Sequence, residues 1–340
     1  MAILITIIGF GIMIFLHELG HFITAKRFGV LVHEFAIGMG PKIFSFGKGE
    51  TKYSLRLFPI GGYVKLEGEN DVEENDNPRS FSNLPPLKRI VVLVSGALMN
   101  VLLGFIIFTC INLSVGITPS VIDNIPQEYA SKQTLLKSGD KIVRLNNTRI
   151  HMHDDVSLFM SRCEADDEID ITVMRNGDKV EIDDFKPLKT ENGYMLGVQF
   201  VHENATIFKS AQFALYDTIY ITKAVLFALA DLFTGKVGVN TLSGPVEIVS
   251  VVGTVTSTQT PYTYLSILML FAMITVNLGV FNLLPFPALD GGSIIFALYE
   301  LITRKKIKSE VVGYATMIGF AIMMLLALYV TAGDIIDLVK

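Results

Sequence analysis

Apolar positions along this chain gather into long runs. Residues 3–25, 90–113, 264–284 and 311–330 are each long enough to cross the ~30 Å hydrocarbon layer of a bilayer, which takes roughly 20 residues. A fifth run, 211–233, is interrupted by Asp217, Lys223 and Asp231. Each such charge costs ~2.5–3.5 kcal/mol at the centre of a spanning helix, so a helix lying along the membrane surface is expected there. The pattern changes in residues 115–203, where apolar and polar positions alternate as in strands. Residues 136–150 read as turn, strand, an Asn146-Asn147 turn and strand; 155–163 as an amphipathic helix; 169–182 as a hairpin with Asn176-Gly177 at its tip. In the loop after the first run, 53–67 reads as two short β segments around Pro59 and the Gly61-Gly62 pair.

The expected fold class is therefore a polytopic α-helical membrane protein with four transmembrane helices. It carries a membrane-associated β segment on the cytoplasmic side and one inserted extracytoplasmic α+β domain. The division is 1–114 for the first membrane part, 115–203 for the polar domain, 204–262 for the surface helix and linker, and 263–340 for the second membrane part. The element order of 115–203 resembles a PDZ domain, a module that pairs an extended peptide with a sheet edge, and so implies a peptide ligand.

Composition agrees with a membrane protein, since 51% of the 340 residues are apolar and 18% charged. The net charge of −5 says little, because residues 67–76 alone hold six acids and read as a solvated loop. No basic stripe with interleaved aromatics suggests nucleic acid. Cys110 lies in an apolar run and Cys163 in the polar domain, so neither a disulfide nor a cysteine metal site is expected. The N-terminus lacks a basic lead and a small-residue cleavage motif, and reads as a retained span. Lys26, Arg27, Lys88, Arg89, Arg304, Lys305, Lys306 and Lys308 mark two cytoplasmic loops, which puts both termini and the polar domain outside.

The candidate chemistry begins at His17-Glu18-Leu19-Gly20-His21. Residues four apart share a helical face, so both imidazoles can bind one tetrahedral zinc, and Glu18 can take the proton of an attacking water. Two His and a Glu after sixteen residues without a formal charge would be costly inside a membrane unless they served a function. Asp290, after Pro285 and Pro287 and before Gly291-Gly292, can turn back into the bundle as a third ligand. On the residues alone it can equally cap the helix expected over 293–302. Glu34, His33 and Glu247 are further candidates, less well placed. Counted along the first run, His17 lies about 21 Å from the outer end at 1.5 Å per residue, near the cytoplasmic face.

Together, His-Glu-Leu-Gly-His and Asn282-Leu-Leu-Pro-Phe-Pro-Ala-Leu-Asp290-Gly-Gly resemble the two signatures of the site-2 protease family, and specifically its bacterial RseP-like group. Gly61-Gly-Tyr-Val-Lys-Leu66, the PDZ-like domain and residues 242–247 match as well. The resemblance implies a zinc metalloendopeptidase of the bacterial cytoplasmic membrane that cuts within the transmembrane segments of single-span proteins, such as anti-sigma factors or remnant signal peptides, in regulated intramembrane proteolysis. It also implies that Asp290 is the third ligand, that Asn277 and Asn282 hold substrate backbone, and that the strand around Gly61, Gly62, Tyr63 and Val64 receives the unwound substrate. The chain departs from the group in having room for one PDZ domain where many relatives have two, and in Gly96-Ala97 where Gly-Pro is common; the small and polar stripe Gly96, Asn100, Gly104 is expected to serve helix packing. An inactive zinc-binding scaffold is the alternative, but it would not need Glu18. A metal transporter would need further intramembrane acids or histidines.

Overall fold

A computed structural model describes residues 1–47, 49–69, 77–130, 135–164, 167–190, 193–238, 244–258 and 260–339. The acidic stretch 70–76 and residues 242–243 of the last matching segment thus lie outside the described residues. Two compact units emerge, one from residues 1–104 and 225–340 and the other from 105–224.

In the first unit, α1 (Ala2–Arg27) leads into two long strands, β1 (Val32–Phe46) and β2 (Lys52–Leu66). A short 3-10 turn at Phe81–Asn83 precedes α2 (Pro86–Val115). Apolar composition, with Glu18 the one formal charge before Lys26, makes α1 a membrane-type helix, and Lys26-Arg27 close its last turn where cations suit the helix C-terminus. The expected short β segments are much longer than the sequence pattern suggested. Val32–Ile37 pairs with Gly62–Leu66 in antiparallel register, and Glu34–Ile37 also pairs with Lys52–Leu55. The outer part, Lys42–Phe46, pairs with Tyr53–Arg56. A core of Ala25, Val30, Val32, Phe35, Val64, Leu66, Val92 and Leu93 fastens the inner sheet to α1 and α2. The outer half instead exposes Ile43, Phe44, Phe46, Leu57 and Phe58.

Within this sheet the carboxylate of Glu34 accepts a 2.7 Å hydrogen bond from the Tyr63 hydroxyl and a 3.1 Å bond from Arg56. Burial alone would raise the Glu34 pKa; hydrogen bonds from Ser54, Tyr63 and Arg56, with the Arg56 charge, outweigh it and hold the carboxyl at about 2. The network ties Tyr63 to its neighbouring strands.

The second unit holds β3 (Ile122–Asn124), α3 (Gln127–Ala130), β4 (Lys141–Leu145), β5 (Thr148–Arg149), α4 (His153–Met160), β6 (Ile169–Arg175), β7 (Asp178–Phe185), β8 (Leu188–Thr190), β9 (Gly193–Met195) and β10 (Gln199–Phe200). Its main sheet runs β5-β4-β6-β7 over an apolar core that includes Ile142, Leu145, Val156, Ile171 and Val173. The β6–β7 hairpin turns at Asn176 and Gly177, both at positive φ, as the sequence pattern predicts. Buried Asp140 takes two 2.7 Å bonds from Arg175.

Next comes α5 (Ile207–Phe233), followed in the first unit by α6 (Pro245–Ser257), α7 (Thr263–Asn282), α8 (Asp290–Thr303) and α9 (Ser309–Val339). The helix α6 was not anticipated; its first turn is capped by Asp334, whose carboxylate accepts backbone bonds of 3.1–3.2 Å from Gly244, Val246 and Glu247. Among the described residues five helices are long and apolar enough to span a bilayer, so the protein is a multi-pass membrane protein. The fifth, α5, has the lowest mean hydropathy, 1.4 against 2.1 or more for the others. Asp217 and Lys223 have partners within the second unit. Asn112 donates to Asp217 at 2.7 Å, and Lys223 pairs with Asp155 of α4 at 3.2 Å.

Helices α1, α2 and α7 approach closely through small residues. A Cβ on Gly20 would sit 2.8 Å from the Ser95 carbonyl carbon of α2, and one on Gly279 would sit 2.9 Å from the Ala97 oxygen. Gly20→Leu is therefore expected to lower the melting temperature of the purified protein, by overpacking worth about 1–3 kcal/mol. Ile23→Leu, at a half-exposed position of the same helix, should leave it unchanged. Equal melting of the two variants would contradict this packing.

Candidate functional site

The site arises where α1, the second half of β2, the first half of α2 and the start of α8 meet. His17 and His21, one helical turn apart on α1, are both 9% exposed. Their Nε2 atoms lie 3.1 Å from each other, and 3.3 and 3.4 Å from Oδ2 of Asp290. No other such grouping occurs among the described residues. Zinc with N and O ligands at about 2.0–2.2 Å would set tetrahedral neighbours roughly 3.3–3.5 Å apart, so the spacing fits that ion. Oδ2 of Asp290 is buried and has no hydrogen-bond partner among the described residues. Lone pairs that converge on one point between them explain both the short separations and the orphaned oxygen.

Asp290 reaches this point because of how α7 ends. After Asn282 the chain turns through Leu283–Leu289, and Leu289 occupies the N-cap position of α8 without a side-chain cap bond. Asp290 is the first residue of the helix, and its carboxylate turns to the imidazoles and caps nothing. The turn needs Gly291 and Gly292, since a Cβ on either would lie 2.5 Å from the Leu283 carbonyl carbon or 2.7 Å from Pro287 Cα. At the other end of α8, Glu300 forms a largely buried ion pair with Arg89 of α2.

The orientation of His21 follows from its partner. Its Nδ1 donates to the Val92 carbonyl at 2.9 Å, which leaves Nε2 with the lone pair. Around His17, the side-chain amides of Asn100 and Asn282 lie 3.4 and 3.5 Å from Nδ1. Asn100 is fully buried.

A cavity of about 500 Å³ opens beside these groups, lined by Glu18, Tyr63 to Leu66 and Glu69 as well as the three clustered side chains. Glu18 is half-buried and projects toward β2, where a Cβ on Gly62 would lie 3.3 Å from its Cγ. Among the described residues the 62–66 strand pairs with another strand on its β1 side only, while Glu18 and Glu69 bond to the backbone of Val64 and Leu66. Its free edge is available to another extended chain.

The structure thus gathers His17, Glu18, His21, Asp290, Asn282, Gly62, Tyr63 and Val64. Gly61 stands at the bend of β2 with φ 88° and does not line the cavity, and neither does Asn277, whose buried Oδ1 has no partner. The rival ligands are elsewhere: Glu34 belongs to the Arg56–Tyr63 network, His33 pairs with Glu67, and Glu247 is exposed at the start of α6. The packing reading of Gly96 and Asn100 requires correction. A Cβ on Gly96 would lie 2.6 Å from Cε1 of His21 and 2.8 Å from Cε1 of His17, so this glycine makes room for the imidazoles, while Asn100 meets His17 directly. The signal was present in the small-and-polar spacing, which marks close approach without saying what is approached. Glu69 was also missed, because it stands within an acidic run that reads as solvated.

Comparison with known proteins finds a family and several relatives. The sequence model of Peptidase family M50 matches residues 5–326. A provisionally named zinc metalloprotease of Clostridium acetobutylicum is 36% identical over 98% of this chain and 97% of its own length. A similarly named protein of Clostridium perfringens is 34% identical over 99% of each chain. The zinc metalloprotease RasP of Geobacillus kaustophilus is 30% identical over 98% of this chain and 97% of its own.

Gly96→Ala tests the room left for the imidazoles. The added methyl is expected to lower bound zinc per chain by more than about tenfold at limiting metal, while membrane insertion and expression stay normal. Stoichiometric zinc in Gly96→Ala would show that α2 can move aside.

Proposed function

Because the chain belongs to Peptidase family M50 and is a zinc-dependent metalloprotease of a membrane, we propose that it hydrolyses peptide bonds inside the transmembrane segments of single-span membrane proteins, with His17, His21 and Asp290 as zinc ligands and Glu18 as general base. The observation that carries this reading is the convergence of two Nε2 atoms and one carboxylate oxygen, within 3.4 Å of one another, beside Glu18. Zinc, when bound, supplies a Lewis acid for the scissile carbonyl and for the attacking water. Three protein ligands leave one position open, as catalytic zinc requires. Glu18, which shares the cavity with Glu69 and sits on the same helix as the two imidazoles, takes the proton of the water and returns it to the leaving amine.

A transmembrane helix hides its carbonyls in its own hydrogen bonds and must unwind before it can be cut. The free edge of residues 62–66 offers backbone partners to the unwound segment next to Glu18, and Asn282 adds an amide at the end of α7. The apolar residues exposed on the outer sheet, Ile43, Phe44 and Phe58 among them, suit a sheet set into the lipid from the cytoplasmic side. Residues 115–203 act as a PDZ-like domain that admits or rejects substrates through a peptide ligand. We further assign α5 to the membrane surface, which leaves four spans, both termini outside and the site near the cytoplasmic face. Its Asp217 and Lys223 meet polar partners, and a fifth span would deliver Asp290 to the wrong side.

Glu18→Gln is expected to retain zinc and to cut a reconstituted single-span substrate about 10²–10⁴-fold more slowly. Product termini read by mass spectrometry should fall within the membrane segment. Near-normal cleavage by Glu18→Gln, or cuts only in soluble regions, would refute the proposal.

Reporters fused at Asn204 and at Gly238 should both read outside, and one at Lys306 cytoplasmic. Opposite readings at Asn204 and Gly238 would make α5 a span.

A further inference from the structure

Each imidazole of a zinc site has to present one particular nitrogen. Neutral histidine carries a single N–H, so a lone pair on Nε2 means a proton on Nδ1. Inside an apolar helix bundle that proton needs an acceptor. His21 has one in the Val92 carbonyl. Among the described residues no backbone carbonyl bonds to Nδ1 of His17. The groups within reach of its Nδ1 are the amides of Asn100 at 3.4 Å and Asn282 at 3.5 Å. In both amides the nitrogen is the atom nearer the ring, which sets donor against donor when Nδ1 is protonated. The oxygen and nitrogen of an amide exchange by a half-turn, so the acceptor is decided by chemistry and surroundings.

Those surroundings differ. Asn100 is 0% exposed, its backbone carbonyl accepts a 3.2 Å bond from Thr275 of α7, and its side-chain oxygen has no partner as drawn. Asn282 is partly exposed at the last residue of α7, where the helix hands over to the turn. A fixed, dry amide suits a permanent bond to a ligand, and a partly exposed one suits a group that changes partners.

Resting on the assignment of His17 as a zinc ligand, we propose that Asn100 is a positioning residue: its side-chain oxygen accepts the Nδ1–H of His17 and holds Nε2 toward the metal. Asn282 is thereby left free for substrate. Partners of this kind govern metal affinity by about 10–100-fold.

The test is a zinc competition titration on the full-length protein in detergent, using a chromophoric chelator. The variants are Asn100→Leu, Asn100→Asp, Asn282→Leu and His17→Ala. Asn100→Leu removes the acceptor at similar volume and should weaken zinc binding about 10–100-fold. Asn100→Asp keeps an oxygen toward Nδ1 and should bind at least as tightly as wild type. Asn282→Leu should stay within about twofold of wild type in affinity while cleavage slows. Should Asn100→Leu not fold, Asn100→Ala carries the same expectation. Wild-type affinity in Asn100→Leu or Asn100→Ala, or weak binding by Asn100→Asp equal to theirs, overturns the proposal. Loss of zinc in Asn282→Leu in place of Asn100→Leu assigns the bond to the other amide and overturns it as well. Undiminished zinc in His17→Ala would sink the ligand assignment itself, which separates that failure from a failure of Asn100 alone.

Discussion

Two imidazoles and a carboxylate, brought within 3.4 Å of one another in an apolar bundle, are the constraint around which the rest is built. Buried ionisable groups are costly unless each finds a partner, and here the three groups are one another's neighbours in a cluster that could hold a metal ion. The requirement reaches into elements that contribute no ligand. Span α2 has to lie against α1 closely enough to offer the Val92 carbonyl to His21, yet must leave the imidazoles room, which Gly96 provides. The chain after α7 has to reverse within a few residues, which the glycines behind Asp290 permit.

The same packing sets the sheet. Val64 and Leu66 are buried against α1 and α2, so the free edge of their strand runs beside Glu18. The Glu34–Arg56–Tyr63 network holds that strand to the others. His17, His21, Asp290, Glu18 and the 63–66 backbone thus line one cavity, and each is placed by contacts that also hold the fold together.

Much of this was legible in the sequence, because membrane spans and the His-Glu-x-x-His spacing are strong local signals. The helices at 2–27, 86–115 and 309–339 bracket their apolar runs, and the one at 263–282 covers all but the last two residues of its own. The hairpin at Asn176-Gly177 follows from turn chemistry that no tertiary contact overrides. Other features depend on contacts across the fold. Strand β1 was hidden because Gly38, Gly40 and Pro41 interrupt its pattern, and pairing along both flanks of Glu34–Ile37 compensates. Helix α6 is too short for a span and rich in Ser, Thr and Gly, and its cap comes from Asp334, far along the chain. Asn100 looked like packing glue because spacing alone cannot name the helix it faces. Of the two asparagines that the family resemblance assigns to substrate, Asn282 lies beside His17 and Asn277 does not line the cavity.

The coordination shell tests the account most directly. X-ray absorption on the zinc-loaded protein should find one four-coordinate zinc per chain, with two imidazole nitrogens at about 2.0–2.1 Å and oxygens at about 2.0–2.2 Å making up the rest. A sulfur at about 2.3 Å, a single imidazole, or no stoichiometric zinc would contradict it.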